Sequence, residues 1–224
     1  MEKLTVRLRI ILLMLVLASS IPAVPATAAG ASRVISVPAL GVQGEGQPGV
    51  VNYILIQFDR VARQDGPTIQ FNEVNLGGGS LVGEAWKEGV RLAVQAAARA
   101  VGDPGHDWLI TIKNRSMTAI TDGMSASAAV AVGIMALFRG DVIGSHVAIT
   151  GQVTPDGRLD VVGGLPVKIE AAAGAHYRTI VVAQDQIHTP DWTLANDVAA
   201  RTRMQLVQAG TLEEAYQAMT SQLR

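Results

Sequence analysis

The stretch from Ser125 to Phe138, SASAAVAVGIMALF, carries small and mostly apolar residues on every side of a helix. A helix of this kind has no polar face for solvent and is stable only where other parts of the chain cover it. Arg139 and Gly140, which follow, are typical of a helix C-terminus. We therefore expect one globular domain built around a buried helix.

The composition is sufficient for such a core. The chain has 224 residues, of which 49% are hydrophobic and 17% are charged, enough apolar material for one domain of ordinary size. A formal net charge of -1 and only three each of Trp, Tyr and Phe do not favour nucleic-acid binding. Because the sequence has no Cys, disulfides, thiolate metal sites and a Cys nucleophile are excluded.

The first 31 residues have the pattern of a signal peptide. Three basic residues precede an apolar run over 10–21, and small residues surround positions 28 and 31. The apolar run is shorter than the ~20 residues that a membrane-spanning helix needs. We expect cleavage near 28–31, export from the cytoplasm, and no membrane attachment after cleavage. A retained anchor is the alternative.

The rest of the chain alternates strand-like and helix-like segments. Strands are expected at 51–58, 67–74, 108–113 and 178–183. Helices are expected at 83–101, 125–138, 166–173 and 211–223. HVAITGQV and RLDVV flank the turn former TPDG and are interpreted as a hairpin. Hairpins combined with crossovers predict a single α+β domain over 49–224, preceded by a lead-in over 32–48.

Several functional motifs are missing or weak. A P-loop, GxxxxGKS or GxxxxGKT, does not occur, and GEGQPG at 44–49 is better explained as a turn than as a dinucleotide site. The four histidines have no HExxH spacing, so neither a metal nor a cofactor is expected. A Ser-His-Asp triad using His146 or His176 remains an alternative, although the apolar neighbours of His146 favour a structural role.

The motif TDGMSAS, residues 121 to 127, places an aspartate and two serines at the entrance of the buried helix. One interpretation is helix capping, because these side chains accept hydrogen bonds from free amides of a first turn. The other is that Ser125 is a nucleophile, with Ser127 and Ser145 as less favoured candidates. An attacking serine needs a group that takes its proton.

Lys168, in VVGGLPVKIEAAAGAH, is the candidate base. Gly163 and Gly164 predict a turn and Pro166 suits the first helical position, which places Lys168 in the first helical turn. A helix N-terminus and apolar neighbours both disfavour the charged amine, and a neutral lysine is a competent base. The alternative is a surface lysine that reaches solvent.

These motifs together resemble a known family. The runs DGMSAS, AITG, VVGGLPVKIEAAAGA and RTIVVAQDQ are similar to the proteolytic domain of Lon proteases, most closely the archaeal membrane-anchored branch. The likeness covers about 49 to 220. It implies that Ser125 is the nucleophile, Lys168 the general base and Thr150 the residue that holds the lysine. The implied fold is the ribosomal protein S5 domain 2-like type, and the implied assembly, by analogy alone, is a hexamer.

The resemblance implies a serine endopeptidase, the signal-peptide pattern indicates that it is exported, and unfolded or flexible protein segments are the expected substrates. Backbone amides around Asp122, Gly123 and Met124 would then bind the oxyanion, although Asp122 could equally cap a loop. Two positions depart from the family pattern: Met124 replaces a Pro or an acid, and Gln152 replaces a frequent Glu.

No AAA+ module is recognisable in the sequence, so ATP-driven degradation of stably folded proteins is not implied. The competing interpretation is a non-catalytic Lon-like module for binding or assembly. The presence of Ser125, Thr150 and Lys168 together argues against it, because a binding domain has no chemical need for all three.

Overall fold

The computed structural model describes residues 33–44, 46–74 and 80–220. The expected signal peptide and the end of the last expected helix, from 221 onward, lie outside these residues. The strands are β1 (Arg33–Val42), β2 (Gly49–Arg60), β3 (Thr68–Phe71), β4 (Leu81–Val82), β5 (Trp108–Arg115), β6 (Ile120–Thr121), β7 (Val147–Ile149), β8 (Gln152–Val153), β9 (Leu159–Asp160), β10 (Thr179–Ala183) and β11 (Gln205–Ala209). The α-helices are α1 (Glu84–Val101), α2 (Ser127–Arg139), α3 (Leu165–Gly174), α4 (Trp192–Thr202) and α5 (Leu212–Thr220), and a 3-10 helix spans Gln184–His188.

A seven-stranded sheet with the order β11-β10-β7-β1-β2-β5-β3 forms the centre of the domain. β2 is antiparallel to both of its neighbours, whereas the other neighbouring strands are parallel. Parallel neighbours require crossovers, and α3 and α4 lie on the connections that lead to β10 and β11. The expected mixture of hairpins and crossovers is confirmed. The sheet is more nearly parallel than the α+β description implies, because within it β2 alone is reversed.

β1 is a central strand of this sheet, which corrects the expected lead-in over 32–48. It pairs with β2 from Arg33↔Phe58 to Val42↔Gly49. On its other side it pairs with β7 through Ala39↔Ile149. Pro38 within RVISVPALGV argues against a central strand at the level of sequence, but it lies outside the short ladder with β7.

The helices cover both faces of the sheet. α1, α2 and α5 share one apolar cluster with the strands, and α3 and α4 belong to a second cluster. Every residue of α2 from Ser127 to Leu137 is buried, so the expected buried helix is confirmed. It ends at Gly140, whose φ of 80° is the left-handed conformation common at helix C-termini.

The hairpin around TPDG is shorter than expected. β8 and β9 pair antiparallel through Gln152↔Asp160 and Val153↔Leu159, whereas Val147–Ile149 belongs to the main sheet. α4 and β11 were not expected from the sequence. Among the described residues, no helix is long and apolar enough to cross a membrane.

The contact between α2 and the sheet predicts the effect of one substitution. A Cβ at Gly133 would lie 2.5 Å from Ile56 Cδ1 and 2.7 Å from Val37 Cγ2, so Gly133→Ala should lower the free energy of unfolding by about 1–3 kcal/mol. The matched control is Gly174→Ala at the end of α3, where an added Cβ meets no described atom within 4 Å. Urea unfolding compares the two variants, and equal effects would contradict this packing.

Candidate active site

The first turn of α3 lies against the turn end of the β1–β2 hairpin. α3 begins at Leu165 after Gly164, which has a φ of 69°. A Cβ at Gly49 would lie 2.0 Å from the carbonyl oxygen of Val167, so only glycine allows β2 and α3 to approach this closely. This close contact fixes the backbone next to Lys168, and the expected position of Lys168 in the first helical turn is confirmed.

The Lys168 side chain is buried, with an exposed fraction of 2%. Its Nζ donates a hydrogen bond to Thr150 Oγ1 at 3.1 Å, and Thr150 Oγ1 donates to the carbonyl oxygen of Leu40 at 3.3 Å. Burial lowers the pKa of Lys168 to about 8, against an opposing effect of the Asp191 carboxylate. A substantial part of the Lys168 population is therefore neutral at mildly alkaline pH, and the sequence alternative of a solvated lysine is wrong.

Asp191 is a residue of this site that sequence reasoning missed. Its Oδ2 accepts a hydrogen bond from the Leu165 amide at 3.1 Å, at the start of α3. Its Oδ1 accepts one from Thr189 Oγ1 at 2.8 Å. The Thr-Pro-Asp run at 189–191 does indicate the start of a helix, and Asp191 is the N-cap position of α4. Its side chain does not cap α4, and its contact with the helix that carries Lys168 depends on tertiary packing.

Ser125 lies in the turn before α2, whose N-cap position is Ala126. The Ser125 carbonyl accepts a hydrogen bond from the Gly151 amide at 3.0 Å, and the Gly151 carbonyl accepts one from the Ala128 amide at 3.2 Å. Gly151 directly follows Thr150, the hydrogen-bond partner of Lys168. The segment 150–151 therefore connects the Ser125 turn to the Lys168 side chain.

The other polar side chains of TDGMSAS have structural partners. Asp122 Oδ1 accepts a hydrogen bond from the Trp86 amide at 3.0 Å, so this carboxylate caps α1 and not the buried helix α2. A Cβ at Gly83 would lie 2.3 Å from Asp122 Cγ, which explains the glycine there. Ser127 Oγ accepts a hydrogen bond from the Val153 amide at 2.9 Å. Of these three polar side chains, Ser125 is the one in the turn connected to Thr150.

Gly123 and Met124 shape the turn that precedes Ser125. Gly123 has a φ of 94°, a conformation that other residues adopt at a cost. The backbone of Met124 packs against α1, where a Cβ at Gly89 would lie 3.3 Å from Met124 Cα. The Met124 carbonyl accepts a hydrogen bond from the Ser127 amide at 3.0 Å. The turn is thus held by α1 on one side and by the start of α2 on the other.

The histidine candidates lie elsewhere. His146 is exposed and precedes β7, whereas Thr150 follows the same strand, a separation of about 13 Å at the usual rise of a strand. The exposed His176 follows α3, at the opposite end of that helix from Lys168. Ser145 is exposed next to His146. Within the described ranges, no group of three or more His, Asp or Glu side chains is placed to hold a metal ion.

Residues 82–219, more than half of the chain, match the family model of the Lon protease (S16) C-terminal proteolytic domain. The chain belongs to this family. Lon protease 1 of Herpetosiphon aurantiacus is 33% identical over 109 residues, which are 46% of this chain and 13% of that protein. The mitochondrial Lon protease homolog of Yarrowia lipolytica is 32% identical over 95 residues, 42% of this chain and 8% of that protein. The chain thus spans a small fraction of the length of these Lon proteases.

Proposed function

We propose that this Lon-type domain is a serine endopeptidase with a Ser125–Lys168 dyad. The observation that carries the proposal is the buried amine of Lys168, which is hydrogen-bonded to Thr150 and has a pKa lowered to about 8. A lysine in this state accepts a proton near neutral pH, whereas an ordinary lysine does not. Membership of a family of protease domains supports the same chemistry.

The proposed reaction follows from the roles of the two side chains. Ser125 Oγ attacks the peptide carbonyl carbon while Lys168 Nζ takes the hydroxyl proton. The C–N bond then breaks, and the Lys168 ammonium returns the proton to the leaving amine. Water hydrolyses the resulting ester on Ser125, with the same amine as base. Thr150 keeps the Nζ lone pair in position through both steps.

The oxyanion formed in each step needs hydrogen-bond donors. We assign this role to backbone amides of the 123–125 turn, which lies at the N-terminus of the thirteen-residue helix α2. A helix N-terminus stabilises negative charge, and one well-placed oxyanion donor contributes about 3–4 kcal/mol to transition-state stabilisation. The packing of Met124 on Gly89 supports a turn that is already ordered before substrate binds.

We further propose that the substrates are unfolded or flexible protein segments and that cleavage needs no nucleotide. The support is that the sequence contains no P-loop. The test is digestion of casein by the purified protein with and without ATP, beside a stably folded protein as substrate. Nucleotide-independent loss of casein alone is expected. Binding of casein without cleavage under all conditions would favour the non-catalytic module instead.

The proposed site of action is outside the cytoplasm. The support is the basic, apolar and small-residue pattern of residues 1–31. Fusion of these residues to a reporter should export it and release it at reduced mass. A reporter that stays in the cytoplasm would contradict export, and one that stays on the membrane at full mass would indicate a retained anchor, as in the archaeal membrane-anchored branch that the motifs resemble.

A further inference from the structure

A cavity lies at the opposite end of β7 from Thr150. Its volume is about 670 Å³. The residues that line it include His146, His176, Tyr177, Arg178, Thr202 and Arg203. They come from the segments before β7 and β10 and from the C-terminal ends of α3 and α4. The cavity is therefore separate from the Ser125–Lys168 site.

The lining of this cavity is strongly biased toward basic groups. Two arginines and two histidines converge there, and none of the described residues that line it is acidic. The formal charge of the whole chain is close to zero, with 18 Lys and Arg against 19 Asp and Glu. The exposed guanidinium groups of Arg178 and Arg203 repel each other weakly, and a bound anion would turn this repulsion into attraction.

The backbone that carries these side chains is held in place by hydrogen bonds. The His146 carbonyl accepts from the amides of Arg178 at 2.9 Å and of Thr179 at 3.1 Å. The Arg178 carbonyl accepts from the Gln205 amide at 2.8 Å. The His176 amide donates to the Ala173 carbonyl at 3.0 Å. The backbone beneath the basic side chains is thus ordered, which lowers the entropy cost of binding a ligand.

Two of the four basic residues occupy unfavourable backbone conformations. His176 has a φ of 64° and Arg203 a φ of 56°, and they are the residues other than glycine with positive φ in the described part of the chain. Glycine is the usual residue at such helix ends. The helix dipole favours a cation at each position, but it does not explain His146 and Arg178, which precede strands. What the four side chains share is the cavity that they line.

We propose that this cavity binds phosphate groups, supplied by a free oligophosphate or by an anionic lipid headgroup. The planar guanidinium groups of Arg178 and Arg203 suit bidentate contact with phosphate oxygens. The ring N–H groups of His146 and His176 supply further donors. This site goes beyond the proposed peptidase function, and its absence would leave that function unaffected.

The histidines allow a residue-specific test. The chain has four, of which His146 and His176 line the cavity, whereas His106 and His188 are exposed elsewhere. Titration of the purified protein with inorganic pyrophosphate should shift the ring NMR signals of His146 and His176 along one saturation curve and leave the other two unmoved. Uniform small shifts of all four rings would indicate general charge screening and would overturn a free-phosphate site.

Charge-matched variants provide the control. Arg178→Gln with Arg203→Gln should weaken pyrophosphate binding at least tenfold. Arg158→Gln with Arg201→Gln removes the same charge from exposed positions outside the cavity and should change binding less than twofold. Circular dichroism and melting temperatures establish that both proteins are folded. Equal weakening in the two double variants would overturn the site.

The source of the phosphate is decided by a second measurement. Co-sedimentation compares vesicles of phosphatidylglycerol with vesicles of phosphatidylcholine. Binding to the phosphatidylglycerol vesicles alone, lost in the Arg178/Arg203 variant, identifies a lipid headgroup, whereas pyrophosphate binding without vesicle binding identifies a free phosphate. Failure of the wild-type protein to bind either probe overturns the proposal.

Discussion

Replacing Ser125 by Ala is expected to reduce kcat/KM for casein-derived peptides by at least about 10³-fold, and Lys168→Met by a similar factor. In a dyad that acts as a unit, losing either member removes nearly the whole effect of both. Initial rates with a fluorogenic peptide at pH 8.5 measure the loss, and the double variant Ser125→Ala/Lys168→Met should be no slower than either single variant.

Two other serines are the controls for this prediction. Ser145→Ala changes an exposed residue at the far end of β7 and should leave kcat/KM unchanged. Ser127→Ala leaves the buried Val153 amide without its acceptor and should lower the free energy of unfolding by about 1–3 kcal/mol, with chemistry retained in the folded fraction. An active Ser125→Ala protein together with an inactive, folded Ser127→Ala protein would reassign the nucleophile.

The second large effect is on stability. Lys168→Met should be inactive but more stable than the wild type by about 3 kcal/mol at pH 7. The pKa of Lys168 falls from 10.5 to about 8 on folding, and each pKa unit corresponds to about 1.4 kcal/mol. Methionine has a similar volume and no charge to bury. Thr150 keeps a hydrogen bond in the variant, because its hydroxyl donates to the Leu40 carbonyl.

The stability difference between Lys168→Met and the wild type should depend on pH. Well below pH 8, Lys168 is protonated in both the folded and the unfolded chain, and its buried charge lowers the free energy of unfolding by a constant amount. Between pH 8 and pH 10.5 the unfolded chain binds more protons, so wild-type stability rises with pH. The advantage of Lys168→Met should therefore shrink by about 3 kcal/mol between pH 7 and pH 10.5.

Urea unfolding of both proteins at the two pH values measures this difference, and most other titrating groups cancel in the comparison. A difference that is the same at pH 7 and pH 10.5 would show that Lys168 has an ordinary pKa in the folded protein.

The parts of the fold with a strong local pattern were predictable from sequence. α2 was predicted because its residues are apolar all round, and Gly140 indicated its end. β1 was not, because Pro38 breaks the strand pattern, and because the strand owes its central place in the sheet to pairing with β7, which is distant in sequence. The sequence over 192–209 has no strong pattern, although α4 buries Ala195, Val198 and Ala199 with weak helical spacing.

In the candidate site, too, features with local sequence signals were predictable and features that depend on long-range packing were not. The positions of Ser125 and Lys168 at helix starts follow from local signals, and the role of Thr150 came from a family resemblance. The carboxylates were harder to interpret. Asp122 caps a helix 36 residues away in sequence, and Asp191 caps one 26 residues away. Such contacts depend on how helices and strands pack against one another, so residue spacing in a single sequence does not predict them.

Covalent labelling tests the central claim most directly. A fluorophosphonate probe forms a bond with an activated serine Oγ and expels fluoride, and peptide mapping by mass spectrometry then locates the adduct. One adduct on Ser125 is predicted, with a labelling rate that rises with pH to a plateau, a midpoint near the Lys168 pKa of about 8, and no labelling in Lys168→Met. An adduct on another serine, or labelling of Ser125 at an undiminished rate in Lys168→Met, would contradict the dyad.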